Sequence, residues 1–203
     1  MLKIAVLISG GGSNLQSVID SIEKDNLDVS IECVISDKPG VFGLERAAKH
    51  GISTYVVDRK EHGANLSDEI FKIVYDKVDL VVLAGFLSIL KGKLISSFKD
   101  RIINIHPSLI PSFCGNGMYG LKVHKKVIES GVKISGCTVH FVDEETDHGP
   151  IVIQEAVPVY FEDTAEELQA RVLVKEHLAL PSAIKLISEN KVKIIDNRVC
   201  IEK

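Results

Sequence analysis

The chain has 203 residues and 45% of them are hydrophobic, so it can bury one sizeable core and is predicted to form a single domain over residues 1–203. Its 24 basic and 28 acidic residues give a formal net charge of −4 without any block of Lys and Arg, which argues against nucleic-acid binding and favours small-molecule partners. The sequence has no C-x-x-C pair, signal-peptide pattern or membrane-length apolar stretch, so we expect reduced thiols and a cytoplasmic protein without membrane contact.

The first half of the chain alternates between predicted strands and helices. Short runs rich in Val and Ile predict strands at residues 4–8, 31–35, 54–57, 80–84 and 102–105. Between them, Leu15, Val18 and Ile22 recur at helical spacing, and Ile70 and Val74 repeat the pattern in a second helix. Nearly continuous apolar strands indicate burial on both faces. The pattern therefore predicts an α/β protein with an open, mainly parallel sheet covered by helices on both faces.

The second half continues this alternation and ends in a hairpin. It is predicted to contain a helix at residues 123–129, strands at 137–142 and 151–157, and a long helix from about residue 163. Thr164 and Glu167 form a capping-box pattern at the start of the long helix, whereas Pro181 is expected to kink or break it. Residues 192–201 predict a C-terminal hairpin that turns at Asp196 and Asn197.

A glycine-rich loop, residues 9–14, joins the first predicted strand to the first helix. Glycine lets the backbone approach a ligand closely, and the N–H groups at the start of a helix attract anions. The loop is therefore predicted to bind a phosphate. The alternative is a simple strand-to-helix turn in which Ser13 and Gln16 form a capping box.

Two better-known phosphate loops do not fit these residues. A Walker loop requires Gly-Lys-Ser/Thr, which is absent, and the dinucleotide pattern G-x-G-x-x-G fails because Leu15 stands at its third glycine. Asp37, after the second strand, still resembles the acid that binds a ribose hydroxyl in dinucleotide-binding proteins. A dinucleotide-binding oxidoreductase therefore remains a weaker alternative.

Two polar side chains stand at the end of the fifth predicted strand. Strand periodicity places Asn104 and His106 on one face, and Pro107 ends the strand directly after them. Open α/β sheets bind their ligands at the carboxyl ends of strands. An Asn amide can donate to an oxygen that becomes negative, and a His can move a proton near neutral pH. The pair is suited to attack on a carbonyl, although both residues could also simply close a strand.

An acidic turn follows the sixth predicted strand. Residues 143–147 hold four carboxylates and precede a Gly-Pro turn at 149–150. One of these acids, if it enters the pocket, is expected to pair with His106 and raise its pKa. The spacing of the residues does not choose among the four. A metal site at His140 and His148 is disfavoured because their spacing fits no ligand pattern such as H-E-x-x-H.

Four motifs together resemble a known enzyme family. They are residues 11–16 (Gly-Gly-Ser-Asn-Leu-Gln), 84–86 (Ala-Gly-Phe), 104–109 (Asn-Ile-His-Pro-Ser-Leu) and 147–150 (Asp-His-Gly-Pro). Their order and spacing resemble the phosphoribosylglycinamide formyltransferases of purine biosynthesis over nearly the whole chain. The resemblance implies a Rossmann-like, twisted sheet and transfer of a formyl group from 10-formyltetrahydrofolate, the donor cosubstrate, to the amine of glycinamide ribonucleotide. It implies no metal.

The resemblance also assigns roles to individual residues. Asn104 and His106 match the family's catalytic pair, and Asp147 matches the acid that perturbs the histidine pKa. The predicted ribonucleotide and phosphate site consists of Gly12, Ser13, Asn14, Leu15, Gln16 and Glu176, the last of which matches an acid that holds the substrate amine but could equally be an exposed helical carboxylate. The predicted folate site consists of Leu87, Ser88, Ile89, Leu90, Asp143, Glu144, Glu145 and Thr146.

Three segments depart from the family pattern. Residues 62–65 hold no Arg where the family often has one that reaches the folate, and Ser88 replaces a frequently basic residue. Residues 112–120 form a longer, more glycine-rich loop than the usual one beside the catalytic histidine. We therefore expect different contacts to the folate tail and a different closure of the pocket.

Related enzymes share the Asn, His and Asp set. Methionyl-tRNA formyltransferase normally adds a carboxy-terminal RNA domain, and formyltetrahydrofolate deformylase an amino-terminal regulatory domain. The start and end of this chain favour neither, so the acceptor is expected to be glycinamide ribonucleotide. The protein is expected to be a monomer or homodimer that binds no nucleic acid.

Overall fold

The structure, a computed structural model, describes residues 1–202. It contains one seven-stranded sheet with the order β3-β2-β1-β4-β5-β6-β7 and a separate two-stranded hairpin, β8-β9. The strands are β1 (Leu2–Ile8), β2 (Val29–Ser36), β3 (Thr54–Val56), β4 (Leu80–Leu83), β5 (Ile102–His106), β6 (Ile134–Phe141), β7 (Ile151–Pro158), β8 (Val192–Ile195) and β9 (Arg198–Ile201). The helices are α1 (Ser13–Glu23), α2 (Phe42–Lys49), α3 (Arg59–His62), α4 (Leu66–Val74), α5 (Lys93–Ser97), α6 (Leu121–Glu129) and α7 (Ala165–Ser188), with a 3-10 turn at Gly63–Asn65.

The sheet confirms the predicted open, mainly parallel α/β architecture. Strands β1 to β5 pair in parallel, whereas β6 pairs antiparallel with both β5 and β7. The two antiparallel strands are joined by residues 142–150, a connection too short for the crossover that parallel strands need. The hydrophobic runs locate these strands but do not reveal their direction.

Helices cover both faces of the sheet, as predicted. On one face, Ile4 and Val6 of β1 pack in one core with Leu15 of α1 and Leu168 of α7. On the other face, Leu7 packs in a second core with residues of α4 and α5 such as Ile70 and Leu94. Alternate residues of β1 therefore face opposite cores, which explains why the strand is apolar at nearly every position. This packing fixes the carboxyl ends of β1, β4 and β5 side by side.

Helix α7 begins as predicted but does not end at its proline. Thr164 and Glu167 form both hydrogen bonds of a capping box. The expectation that Pro181 breaks the helix is wrong, because α7 continues to Ser188. Pro181 and its neighbours Leu180 and Ile184 are buried against the core, and this packing offsets the one helical hydrogen bond that a proline removes.

The cap of α7 provides a test of local stability. Thr164→Ala removes the side-chain oxygen that accepts from the Glu167 N–H, so the free energy of unfolding should fall by about 1 kcal/mol. Urea denaturation measures the change. Ser182→Ala, on the exposed side of the same helix, should change stability by less than about 0.5 kcal/mol. Equal effects of the two substitutions would show that the cap contributes nothing.

The chain ends in the predicted hairpin. Strands β8 and β9 pair antiparallel, and both turn residues, Asp196 and Asn197, have positive φ angles of 49° and 58°. Two successive left-handed residues produce the turn that matches the twist of a two-residue hairpin. Within residues 1–202, no helix has the length and apolar character needed to cross a membrane.

Candidate active site

A cavity of about 710 Å³ opens at the carboxyl ends of β1, β4 and β5. Its lining includes all three predicted catalytic residues, all eight residues of the predicted folate site, and Ser13, Asn14 and Glu176 of the predicted ribonucleotide site. Residues that lie far apart in the sequence thus meet in one cavity, as expected for an open α/β sheet.

The other residues of the predicted ribonucleotide site lie behind this lining. Gly12 is the N-cap of α1 with φ 70°, and α1 has no side-chain cap, so the alternative of a capping box between Ser13 and Gln16 is wrong. Leu15 is fully buried in the core. The Gln16 side chain points to Arg46 and Asp20 instead of the cavity.

His106 is held between two hydrogen-bond acceptors. Its Nε2 donates to the Phe113 carbonyl oxygen at 3.0 Å, and its Nδ1 lies 3.5 Å from Asp147 Oδ2. Because a carbonyl can only accept, the Nε2 hydrogen is fixed, and a proton that arrives at Nδ1 faces the carboxylate. Both nitrogens of the imidazolium form of His106 would therefore have an acceptor.

The pKa of His106 is nevertheless below its ordinary value, because burial disfavours the charged ring. The Asp147 carboxylate and the Phe113 carbonyl raise this pKa but do not outweigh burial. The predicted pairing of His106 with an acid that raises its pKa is thus present, but the net shift is downward because the sequence analysis did not include desolvation of a ring that is only 4% exposed. At neutral pH, His106 is therefore a neutral base beside the Asp147 carboxylate.

Asp147 is the carboxylate of the acidic turn that lies against this ring. Its backbone is left-handed, with φ 57°, and its Oδ2 accepts from the Gly115 N–H at 2.9 Å. Burial raises the pKa of Asp147, but the His140 and His106 rings and the Gly115 N–H together hold it below its ordinary value. Asp147 is therefore ionised at neutral pH. Asp143, by contrast, contacts the exposed His148 ring at 3.2 Å.

Two histidines of the site were not assigned by the sequence analysis. His140 on β6 pairs with Asn104 on β5, and its Nε2 lies 3.2 Å from Asn104 Nδ2. Its Nδ1 donates to the Phe141 carbonyl oxygen at 2.8 Å, so in the form of the ring with a single N–H its Nε2 is an acceptor for the Asn104 amide. This contact turns Asn104 Nδ2 toward His140 and leaves its second hydrogen free. The other histidine, His124, also lines the cavity, and burial lowers its pKa to about 4.

Two hydrogen bonds hold the segment of residues 87–90 in place. Ser9 Oγ accepts from the Leu87 N–H at 2.8 Å, and Ser88 Oγ donates to Asp37 Oδ2 at 2.6 Å. Asp37 is fully buried, and Arg59 Nη1 lies 3.5 Å from the same oxygen. The acid that the dinucleotide alternative requires is therefore occupied in supporting this segment, which counts against that alternative.

Glu176 is a buried carboxyl in another part of the cavity lining. It is 8% exposed, and its Oε2 accepts from Asn14 Nδ2 at 2.7 Å. The alternative that Glu176 is an exposed helical carboxylate is wrong. Burial raises its pKa above the ordinary value, and among the described residues the Asn14 Oδ1 atom is buried without a hydrogen-bond partner. Asn14 thus has an unsatisfied polar atom beside the Glu176 carboxyl.

The raised pKa of Glu176 makes a prediction about stability. Below the ordinary glutamate pKa the carboxyl is neutral in both states, whereas at higher pH the unfolded chain ionises first and folding becomes less favourable. Glu176→Gln should therefore raise the melting temperature at pH 7, and the gain should vanish at pH 4. A variant that melts below the wild type at pH 7 would contradict this account. Calorimetric melting at the two pH values measures it.

Residues 1–202 contain no group of three or more His, Cys, Asp or Glu side chains arranged to hold a metal ion.

The chain is similar to a known protein family and to individual proteins. The sequence profile of the formyl transferase family matches residues 2–184. The chain is 42% identical over 200 residues to the phosphoribosylglycinamide formyltransferase of Haemophilus influenzae, an alignment that covers 97% of this chain and 92% of that protein.

Two further relatives are a longer protein and a solved structure. The chain is 45% identical over 196 residues to the trifunctional purine biosynthetic protein adenosine-3 of Gallus gallus, aligning over 95% of its own length but spanning only 19% of that protein. The crystal structure of glycinamide ribonucleotide transformylase 1 from Symbiobacterium toebii matches with a TM-score of 0.94 at 39% identity, over 100% of this chain and 95% of that one.

Proposed function

The chain belongs to the formyl transferase family, and from this premise we propose that it transfers the formyl group of 10-formyltetrahydrofolate to the amine of glycinamide ribonucleotide in purine (IMP) biosynthesis. One observation carries the proposal. The His106–Asp147 pair and the Asn104 amide lie in the same cavity as the start of helix α1 and the segments 87–90 and 143–146.

The ribonucleotide is proposed to enter at the side of the glycine loop. Ser13 and Asn14 open helix α1, whose first N–H groups have no carbonyl partner within the helix and attract a phosphate. Glu176 and Asn14 offer acceptors to the hydroxyl or amine groups of the substrate. The folate is proposed to occupy the side formed by residues 87–90 and 143–146, where backbone groups and the half-exposed side chains of Leu87 and Ile89 are available.

Formyl transfer would proceed through one tetrahedral intermediate. The substrate amine forms a bond to the formyl carbon, and the carbonyl oxygen becomes negative. The free Asn104 N–H stabilises this oxyanion from the start, and the His106 ring adds its positive charge once it has gained a proton. The His106–Asp147 pair takes the proton that the amine loses and returns it to the folate nitrogen as the carbon–nitrogen bond to the folate breaks. No covalent enzyme intermediate is required.

The same proposal covers partners and location. We propose a single-domain protein, as a monomer or homodimer, that acts on these two small molecules in the cytoplasm without nucleic acid or membrane. Its net charge of −4 and the absence of a basic block support the small-molecule part of this proposal.

A steady-state assay tests the proposed function. The protein is mixed with 10-formyltetrahydrofolate and glycinamide ribonucleotide, and release of tetrahydrofolate is followed by absorbance. We expect release only when the ribonucleotide is present. Equal release without ribonucleotide would identify a formyltetrahydrofolate hydrolase, and no release with either mixture would refute formyl transfer. An NADH titration without a fluorescence response is expected in parallel and would remove the oxidoreductase alternative.

A further inference from the structure

We propose that Arg46 of α2 is a positioning residue for phosphate binding. It holds the glycine loop in shape from the side away from the cavity and does not touch the ligand. The inference rests on the proposed function in that the loop is taken as the phosphate site. Arg46 is half-buried and does not line the cavity. No feature of the sequence analysis assigned it a role.

Three consecutive carbonyl groups of the loop are turned away from the cavity. The Gly10 carbonyl oxygen accepts from the Gly43 N–H at 3.1 Å, and the Gly11 carbonyl oxygen accepts from Arg46 Nε at 2.9 Å. The Gly12 carbonyl oxygen accepts from the Gln16 N–H at 2.9 Å within the first turn of α1. Because the C=O and N–H of a trans peptide point in opposite directions, the N–H groups of the following residues are turned away from these partners.

Of these three contacts, the one to the Gly11 carbonyl oxygen is made by a side chain. Arg46 Nη1 also donates to Gln16 Oε1 at 3.1 Å, and its guanidinium stacks over the Phe42 ring at 4.7 Å. One planar group therefore connects the loop, the first turn of α1 and α2. A lysine at this position could keep the charge, but it lacks the fixed fork of donors that makes the two contacts together.

Close packing between the loop and α2 reinforces this arrangement. A Cβ atom at Gly12 would lie 2.7 Å from Gly43 Cα, and one at Gly43 would lie 2.4 Å from Ile8 Cδ1 and 3.0 Å from the Gly10 carbonyl oxygen. The two backbones touch because both residues are glycines. Helix α2 therefore supports the loop through this backbone packing, and Arg46 adds a side-chain hydrogen bond to the loop.

Binding of ribose 5-phosphate, measured by calorimetric titration, tests the proposal without any need for catalysis. Arg46→Met should weaken binding about tenfold, the effect of losing a charge-assisted hydrogen bond that organises the site. Arg46→Lys should also weaken it, because the two-point contact is lost. The matched control is Lys49→Met, which removes the other cation over the Phe42 ring and should bind as the wild type does.

Kinetics with the full reaction separate positioning from general damage. Arg46→Met should raise KM for glycinamide ribonucleotide about tenfold, with kcat and KM for the folate unchanged. A variant that loses kcat, or affinity for both substrates, would point to a structural role and overturn the proposal. Full recovery in Arg46→Lys would overturn it too, because charge alone would then suffice.

The proposed function and this inference fail in different ways. If the wild type binds ribose 5-phosphate but does not formylate the ribonucleotide, the function is wrong, and the binding series still decides the role of Arg46. If the wild type binds no ribose 5-phosphate, the loop is not a phosphate site and the role of Arg46 is refuted.

Discussion

His106→Ala is expected to lower kcat about a thousandfold, the typical contribution of a positioned acid or base. The substitution removes a side chain that contacts both the Phe113 carbonyl and the Asp147 carboxylate. KM for the ribonucleotide should change little, because the proposed phosphate site lies on another part of the cavity wall. Steady-state kinetics with both substrates measure the change.

A matched control is His62→Ala, which removes a half-buried imidazole outside the cavity. Its kcat should equal that of the wild type. If His106→Ala retained more than about a tenth of the wild-type kcat, the ring could not be the group that moves the proton. Unchanged thermal melting of His106→Ala would show that the loss does not arise from unfolding.

Asp147→Asn is expected to lower kcat by a similar factor of about a thousand, and it should also move the pH profile. The Asp147 carboxylate raises the pKa of His106, so its removal leaves the Phe113 carbonyl alone to oppose the effect of burial and lowers that pKa further. The ionisation that belongs to His106 in kcat/KM should therefore shift to lower pH. A pH series on the wild type and the variant measures this shift.

Asp100→Asn is the matched control for this substitution. Asp100 is exposed and adopts nearly the same left-handed backbone as Asp147, with φ 58° against 57°. Asn is tolerated in this conformation, so neither substitution should strain the chain. Asp100→Asn should leave kcat and the pH profile as they are. A wild-type profile in Asp147→Asn would mean that Asp147 does not govern His106.

Much of the fold follows from hydrophobic pattern alone. The strands β1 and β4 are nearly continuous apolar runs, and such runs occur where helices cover both faces of a parallel sheet. The reversed direction of β6, which pairs antiparallel with both β5 and β7, is not encoded in such a pattern, because a buried strand is apolar whichever way it runs. The continuation of α7 through Pro181 was missed for a related reason, since tertiary packing outweighs a local helix-breaking signal.

The candidate site was partly predictable in the same physical sense. Alternation along β5 placed Asn104 and His106 on one face, but it could not show that His140 pairs with Asn104, because that contact requires the register between two strands. Alternation of His140 with Thr138 along β6 was the available signal. Among the four acids of the turn, Asp147 reaches His106 because of its left-handed backbone and its contact with Gly115. The residues alone did not choose among the four acids, and only the family resemblance pointed to Asp147.

Two features of the site depend on desolvation or on distant contacts. The pKa of His106 is lowered by burial, an effect that a list of neighbouring charges cannot reveal. The support of the glycine loop by Arg46 joins residues 35 positions apart and depends on how α2 packs on α1. Sequence patterns report local periodicity well, but they report neither burial of a polar ring nor contacts between separate helices.

The central claim is that the formyl carbon moves to the ribonucleotide amine. It is tested most directly by following an isotope-labelled formyl carbon by NMR, with labelled 10-formyltetrahydrofolate, glycinamide ribonucleotide and the wild-type protein. The account predicts that the label appears as the formamide carbon of the ribonucleotide, at the rate at which tetrahydrofolate forms, and that His106→Ala abolishes the signal on the same timescale. Label that accumulates as free formate, with or without ribonucleotide, would contradict it.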